Sequence, residues 1–223
     1  MHPLILGAGL LAAVAVCQPA GAACPAPGAP VVEHFIDAGC PDCWAADAPA
    51  PQGAWRFDWI TPGADDAPLS AAALPDATER LLRLGGAGPG PRSQPARKLP
   101  GLQLKVGSGP AWQGYFGLQL QLRTRGKAAP PGGGQPAWLA GATGWLALVE
   151  LLPPGSEVNN GPRALVRSVA GPLPLDGAGR SQGITHLRAL RWPTGALPER
   201  LQARGWIEAA DGSLLAVAAQ RCP

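Results

Sequence analysis

The chain predicts an α+β fold: a short N-terminal unit of strand, cysteine turn, strand and helix, followed by an antiparallel β-sandwich-like part. Three observations predict it. Apolar runs rich in branched and aromatic residues stand at "VVEHFI" (residues 31–36) and "AWRFDWIT" (residues 54–61). A helical repeat follows in "LPDATERLLRLGG". Beyond Pro100, seven short candidate strands are separated by turns rich in glycine and proline.

The first 22 residues read as a signal peptide. Leu4 to Val16 is apolar without Lys, Arg or acid, too short to cross a bilayer but suited to a leader, and Ala20-Gly21-Ala22 supplies a small-x-small cleavage site. The mature chain then begins at Ala23, with no membrane span left after cleavage, and is periplasmic or secreted. Cys17 invites a lipid anchor, but Val16 before it is larger than the small residues such sites prefer, which favours simple export.

Residues 29–90 form the first part. Val31 opens a buried strand, Ala38-Gly39 turns the chain, and Cys40 and Cys43 follow. In the second strand Trp55, Phe57 and Trp59 alternate against Arg56 and Asp58. Pro75 suits a first helical turn, Asp76 and Glu79 its positive end, and Arg83 lies four residues after Glu79. Ala77, Leu81 and Leu84 recur at helical spacing and Gly85 stands at the C-cap. Residues 91–99 read as a linker.

Residues 100–223 form the β-sandwich-like part, through "GLQLKV", "YFGLQLQLRT", "GWLALVELL", "RALVRSV", "ITHLRALRW", "LQARGWIEA" and "SLLAVAAQ". Leu118, Leu120 and Leu122 alternate against Gln119, Gln121 and Arg123 most clearly, and Asp211-Gly212 marks a tight hairpin. No internal repeat stands out. Glycine and proline total 58 residues, a share that can mark low complexity. Eight tryptophans and an apolar fraction of 46% instead require a packed core. The net charge is +3 and no Lys or Arg run forms a patch, so nucleic acid is not an expected partner.

Leader removal leaves Cys24, Cys40, Cys43 and Cys222, and four cysteines allow three pairings. In an oxidising compartment all four are expected to be bridged. The favoured pairing joins the near neighbours Cys40 and Cys43 and lets Cys24 and Cys222 tie the termini. A loop that long contributes roughly 4–5 kcal/mol in the chain-entropy model.

A strand followed by Gly-Cys-x-x-Cys resembles the opening of a thioredoxin-like domain. "VVEHFIDAGCPDC" in particular resembles a bacterial exported thioredoxin-like family of unknown function with a β-rich C-terminal portion. Asp58-Trp59, "WLALVELLPPGSEVNNGPRALVRSVAGPLPL" and the closing "LQARGWIEAADGSLLAVAAQ" are similar to later segments of that family. The resemblance implies a reduced thioredoxin-like N-terminal part whose chemistry falls on Cys40 and Cys43. Three departures bear on it. Pro49 and Pro51 limit any helix after Cys43 to one or two turns. Asp42 sets a negative charge beside any thiolate. Pro100 is the candidate for the cis-proline that such sites carry.

The expected function is thiol–disulfide reductase or isomerase chemistry on exported protein thiols or disulfides, with Cys40 attacking and Cys43 resolving. The pair is expected to rest as a disulfide of low potential. Two other readings of the pair stay open: an inert staple, and a soft-ligand metal clasp recruiting His34. The alternative function is a non-enzymatic envelope binding or scaffold protein in which both disulfides are structural. No cofactor and no metal are expected. His186 lacks hydrolase partners, Ser108 lacks the nucleophile turn, Asp65-Asp66 lacks a third calcium ligand, and "GGAGPG" lacks a phosphate-binding lysine.

Overall fold

The structure, a computed structural model, describes residues 24–26, 28–47, 49–97, 99, 101–124, 136–176, 178, 183–220 and 222. The expected leader, Cys17 and Pro100 lie outside the described residues. The elements are β1 (Val31–Asp37), α1 (Pro41–Ala45), β2 (Trp55–Thr61), α2 (Pro75–Arg83), β3 (Gly90–Gln94), β4 (Leu102–Trp112), β5 (Tyr115–Thr124), β6 (Thr143–Leu152), β7 (Arg163–Pro174), β8 (Ile184–Arg191), β9 (Leu201–Glu208) and β10 (Leu214–Ala219). No helix among the described residues is long and apolar enough to cross a membrane.

Seven strands form one sheet in the order β10-β9-β6-β7-β2-β1-β3, and β4-β5-β8 form a second. Period-two alternation decides what each face of the large sheet meets. One face presents Phe35, Trp55, Phe57, Trp59, Trp145 and Trp206 to a core closed by Ala77 and Leu81 of α2. The opposite face presents Leu146, Leu148 and Ile207 to Leu118, Leu120 and Leu122 of β5, so the small sheet packs over it. Further along that same face, Ile36, Ile60 and Leu165 pack with Trp44 of α1. Gly205 lets the layers approach: a Cβ there would stand 2.9 Å from Val106 of β4.

The expected α+β fold with a reduced thioredoxin-like N-terminal part is overturned. The protein is mostly β, in curled sheets, and α1 is five residues long. The open edge of β2 explains the difference. It pairs in parallel with β7 at Asp58 and Leu165, and the Asp58 Oδ2 accepts the Ala164 amide at 2.6 Å. The first strands therefore continue directly into β7, β6, β9 and β10. Their aromatic faces fuse into one core, where Trp59 meets Trp206 edge-on and Trp206 stacks on Trp145. Residues 91–99, read as a linker, contain most of β3, which pairs antiparallel with β1. Register shifts between β6 and β7 add local bends.

A charge cluster is sealed into the α2 side. Arg80, 2% exposed, donates to both oxygens of Glu33 at 3.0 and 3.1 Å and to Glu208. Glu208 also accepts the Trp206 indole N–H at 3.0 Å. Burial raises the Glu33 pKa, with Arg80 pulling the other way.

Candidate functional site

β1 and β2 are parallel neighbours, so the chain must cross over between them, and α1 with its flanking loops is that crossover. Pro41 pre-sets φ for the first helical turn. Cys40 and Cys43 are joined in a disulfide with Cα atoms 5.2 Å apart. Cys40 is half-buried and Cys43 exposed, the reverse of the exposure order that motivates Cys40 as the attacking thiol. Another feature does distinguish Cys40: the Cys43 amide donates to its Sγ at 3.2 Å. That donor is in place to stabilise negative charge on Cys40 once the bond is reduced. Asp42, exposed between the cysteines, opposes it.

Non-sulfur contacts anchor the turn. Trp44 is 5% exposed and its indole N–H donates to the Glu157 carbonyl at 2.7 Å. Arg163 of β7 donates to the carbonyls of Trp44 and Ala46, reaches the Cys43 carbonyl at 3.5 Å, and sits over the Trp44 ring at 5.1 Å. Behind Arg163 lies Asp58, fully buried. Arg56 forks onto both Asp58 oxygens at 2.8–3.0 Å, and Arg163 Nη1 reaches Oδ1 at 3.4 Å. Burial pushes the Asp58 carboxyl up, but His34, Arg56 and the Ala164 amide outweigh it and bring the pKa down to about 2.

His34 Nδ1 stands 3.2 Å from Arg163 Nη1 and 3.7 Å from Asp58 Oδ1. Both contacts tie the ring to the Asp58–Arg163 pair, beside the Arg56 fork. His34 thus belongs to this network, and no group of three or more metal-ligating side chains occurs among the described residues.

The other candidates lie apart. Cys24 and Cys222 form the second disulfide, with Cα atoms 5.5 Å apart. His186 on β8 contacts the Pro174 carbonyl at 2.7 Å. Ser108 lies in β4, Asp65-Asp66 in an exposed turn, and the glycine run in the loop leading into β3, whose first residue is Gly90. The cis X-Pro bond among the described residues is Gly171-Pro172 in β7. Arg163, Arg56 and Arg204 carry roles that sequence reading did not assign. Their signal was a lone charge inside an apolar strand, as in "RALV" and "LQARGWI", where burial demands a partner.

No family model matches the chain, a thioredoxin-like one included, and no curated protein matches it. Among solved structures, the chain is similar to a domain of the outer membrane lipoprotein Omp28 from Porphyromonas gingivalis. That likeness has a TM-score of 0.35 and 8% sequence identity, and covers 59% of this chain and 97% of that domain.

Proposed function

We propose that the Cys40–Cys43 pair exchanges disulfides with exported proteins, as a reductase or isomerase. The observation that carries this reading is the Cys43 amide aimed at Cys40 Sγ in an accessible disulfide. In the reduced form, the Cys40 thiolate attacks a substrate disulfide. A mixed disulfide forms and one substrate sulfur leaves as thiolate. Cys43, deprotonated, then attacks Cys40 Sγ and releases the second substrate sulfur, leaving the pair oxidised and the substrate reduced. A dithiol donor in the same compartment returns the pair to the reduced form. In isomerisation the released substrate thiolate attacks a different substrate sulfur, with no net redox change.

The anchoring of the turn supports exchange over a purely mechanical staple. Trp44 and Arg163 hold α1 against the sheet without help from sulfur, so the bond can open while the turn stays in place. The bridge closes only a four-residue loop, for which the entropy model gives about 2 kcal/mol. Asp42 and the short helix both disfavour a thiolate, which supports a resting pair on the low-potential, reducing side. Two disulfides suit an oxidising compartment, and with the expected leader they support an envelope or secreted location.

The test is a trap. With Cys43→Ser, mixed disulfides with a disulfide-linked model protein are expected to accumulate on Cys40. Cys40→Ser is expected to fold, to lose at most about 2 kcal/mol of stability, and to show no turnover. Trapping only through Cys43 would reverse the two roles. Absence of any trap, together with a large stability loss in Cys40→Ser, would leave a stapled scaffold.

A further inference from the structure

Buried charge is unbalanced on the flank of α1. A cavity of about 710 Å³ opens there, and Arg56, Arg163 and Arg204 all line it, with Asp47 the acid on its wall. Arg163 is 2% exposed and Arg204 7%. Asp58, just behind the wall, is held by Arg56 at 2.8 Å and Arg163 at 3.4 Å. Arg204 has no carboxylate at ion-pair distance among the described residues: it donates to the Arg56 carbonyl and to Gln202 Oε1 at 2.9 Å, and lies against Trp55 and Phe57. Three guanidinium groups thus face two carboxylates, one of them on the exposed Asp47. Burial pushes the Arg204 pKa down to about 10, with only the Asp58 charge acting against it.

A second observation is independent of that balance. The Nε of Arg163 is buried and has no hydrogen-bond partner among the described residues. A guanidinium offers five donors in a rigid fork matched to a carboxylate, and a buried donor left unmade costs about 1–3 kcal/mol. The remaining wall is apolar, from Pro49, Ala50, Ala54, Leu151 and Pro162. Pockets of this size with apolar walls and a few convergent polar groups are the usual form of a small-ligand site.

We propose that this cavity binds a carboxylate carried on an apolar body, the anion facing the arginines and the body lying along the proline, alanine and leucine wall. The site goes beyond disulfide exchange and does not depend on it, although Arg163 adjoins both. The carboxylate can come from a free short-chain acid or from the C-terminus of an apolar peptide; the two share the same contacts and are separated by the test.

The full mature chain in its disulfide form is titrated with hexanoate and with hexanamide, and with an apolar pentapeptide as free acid and as amide. Binding is read by calorimetry and by the shift in Tm. At least one of the two acids is expected to bind saturably, with its amide at least tenfold weaker, and the acid that binds identifies the source. Arg204→Met keeps the side-chain bulk and removes the charge; it is expected to weaken binding at least tenfold, consistent with a charge-assisted contact. Ala50→Trp, which adds bulk to the cavity lining and leaves every arginine in the sequence, is expected to do the same and covers the case in which Arg204→Met fails to fold. Binding of neither acid, equal binding of acid and amide, or undiminished binding by Ala50→Trp overturns the proposal. None of these results bears on the mixed-disulfide trap, so the two readings stand or fall separately.

Discussion

Replacing Asp58 with asparagine tests the electrostatic support beneath the cysteine turn. Asp58 is fully buried, accepts the Arg56 fork and the Ala164 amide, and lies 3.4 Å from Arg163. Its pKa falls from 3.8 to about 2 on folding, which at about 1.4 kcal/mol per unit makes the ionised form worth about 2 kcal/mol to the fold. Asparagine forfeits that preference and leaves buried guanidinium groups without their counter-charge, and breaking such a pair costs about 3–5 kcal/mol. The sign with pH follows from a folded pKa below the unfolded one. The contribution is complete above pH 3.8 and is lost as pH falls through 2. Urea unfolding at pH 7 is therefore expected to show Asp58→Asn destabilised by about 3–5 kcal/mol, and the gap is expected to narrow steadily from pH 4 toward pH 2. A variant within about 0.5 kcal/mol of the parent at pH 7, with an unchanged acid limb, would refute the reasoning, since surface-like substitutions fall in that range.

Three further outcomes are expected. Glu33 has the opposite sign: its raised pKa means that the protonated form favours folding, so stability is lost as pH rises from 4.5 through the folded pKa. Glu33→Gln should gain on the parent in urea midpoint between pH 4 and pH 7, and a constant difference across that range would contradict it. The paired change Cys24→Ser with Cys222→Ser opens a bridge spanning 198 residues; it should cost about 5 kcal/mol in the entropy model while disulfide exchange at Cys40–Cys43 persists. Gly205→Ala puts a Cβ 2.9 Å from Val106 and 3.0 Å from the Trp145 carbonyl, so thermal unfolding should show a loss of about 1–3 kcal/mol from overpacking between the sheets.

The α2 cluster and the α1 network share a design. Each buries an arginine against the large sheet beside carboxylate and tryptophan partners, as Arg80 of α2 does with Glu33, Glu208 and Trp206 and Arg163 of β7 with Asp58 and Trp44. Of the two, the α1 network borders the cavity lined by Arg56, Arg163 and Arg204.

Local features were legible without coordinates. The alternation of Trp55, Phe57 and Trp59 marks β2, the leucines at 118, 120 and 122 mark the inward face of β5, and Pro75 with the Ala77–Leu81 spacing marks α2. These follow from side-chain periodicity, a property of neighbouring residues. Cys40 and Cys43 were conspicuous for the same reason, being three residues apart. Fold class was not legible, because it depends on which edge of β2 finds which distant strand. A single parallel pairing with β7, 107 residues further on, turned an expected separate unit into the middle of a seven-stranded sheet. The site partners were hidden likewise: Arg163 and Arg204 reach the cysteine turn and β2 across separations of 119 and 148 residues. Short-range periodicity determined the elements, while long-range strand pairing and burial of the aromatic faces decided how they assemble, and the buried guanidinium groups found there partners that no local pattern can supply.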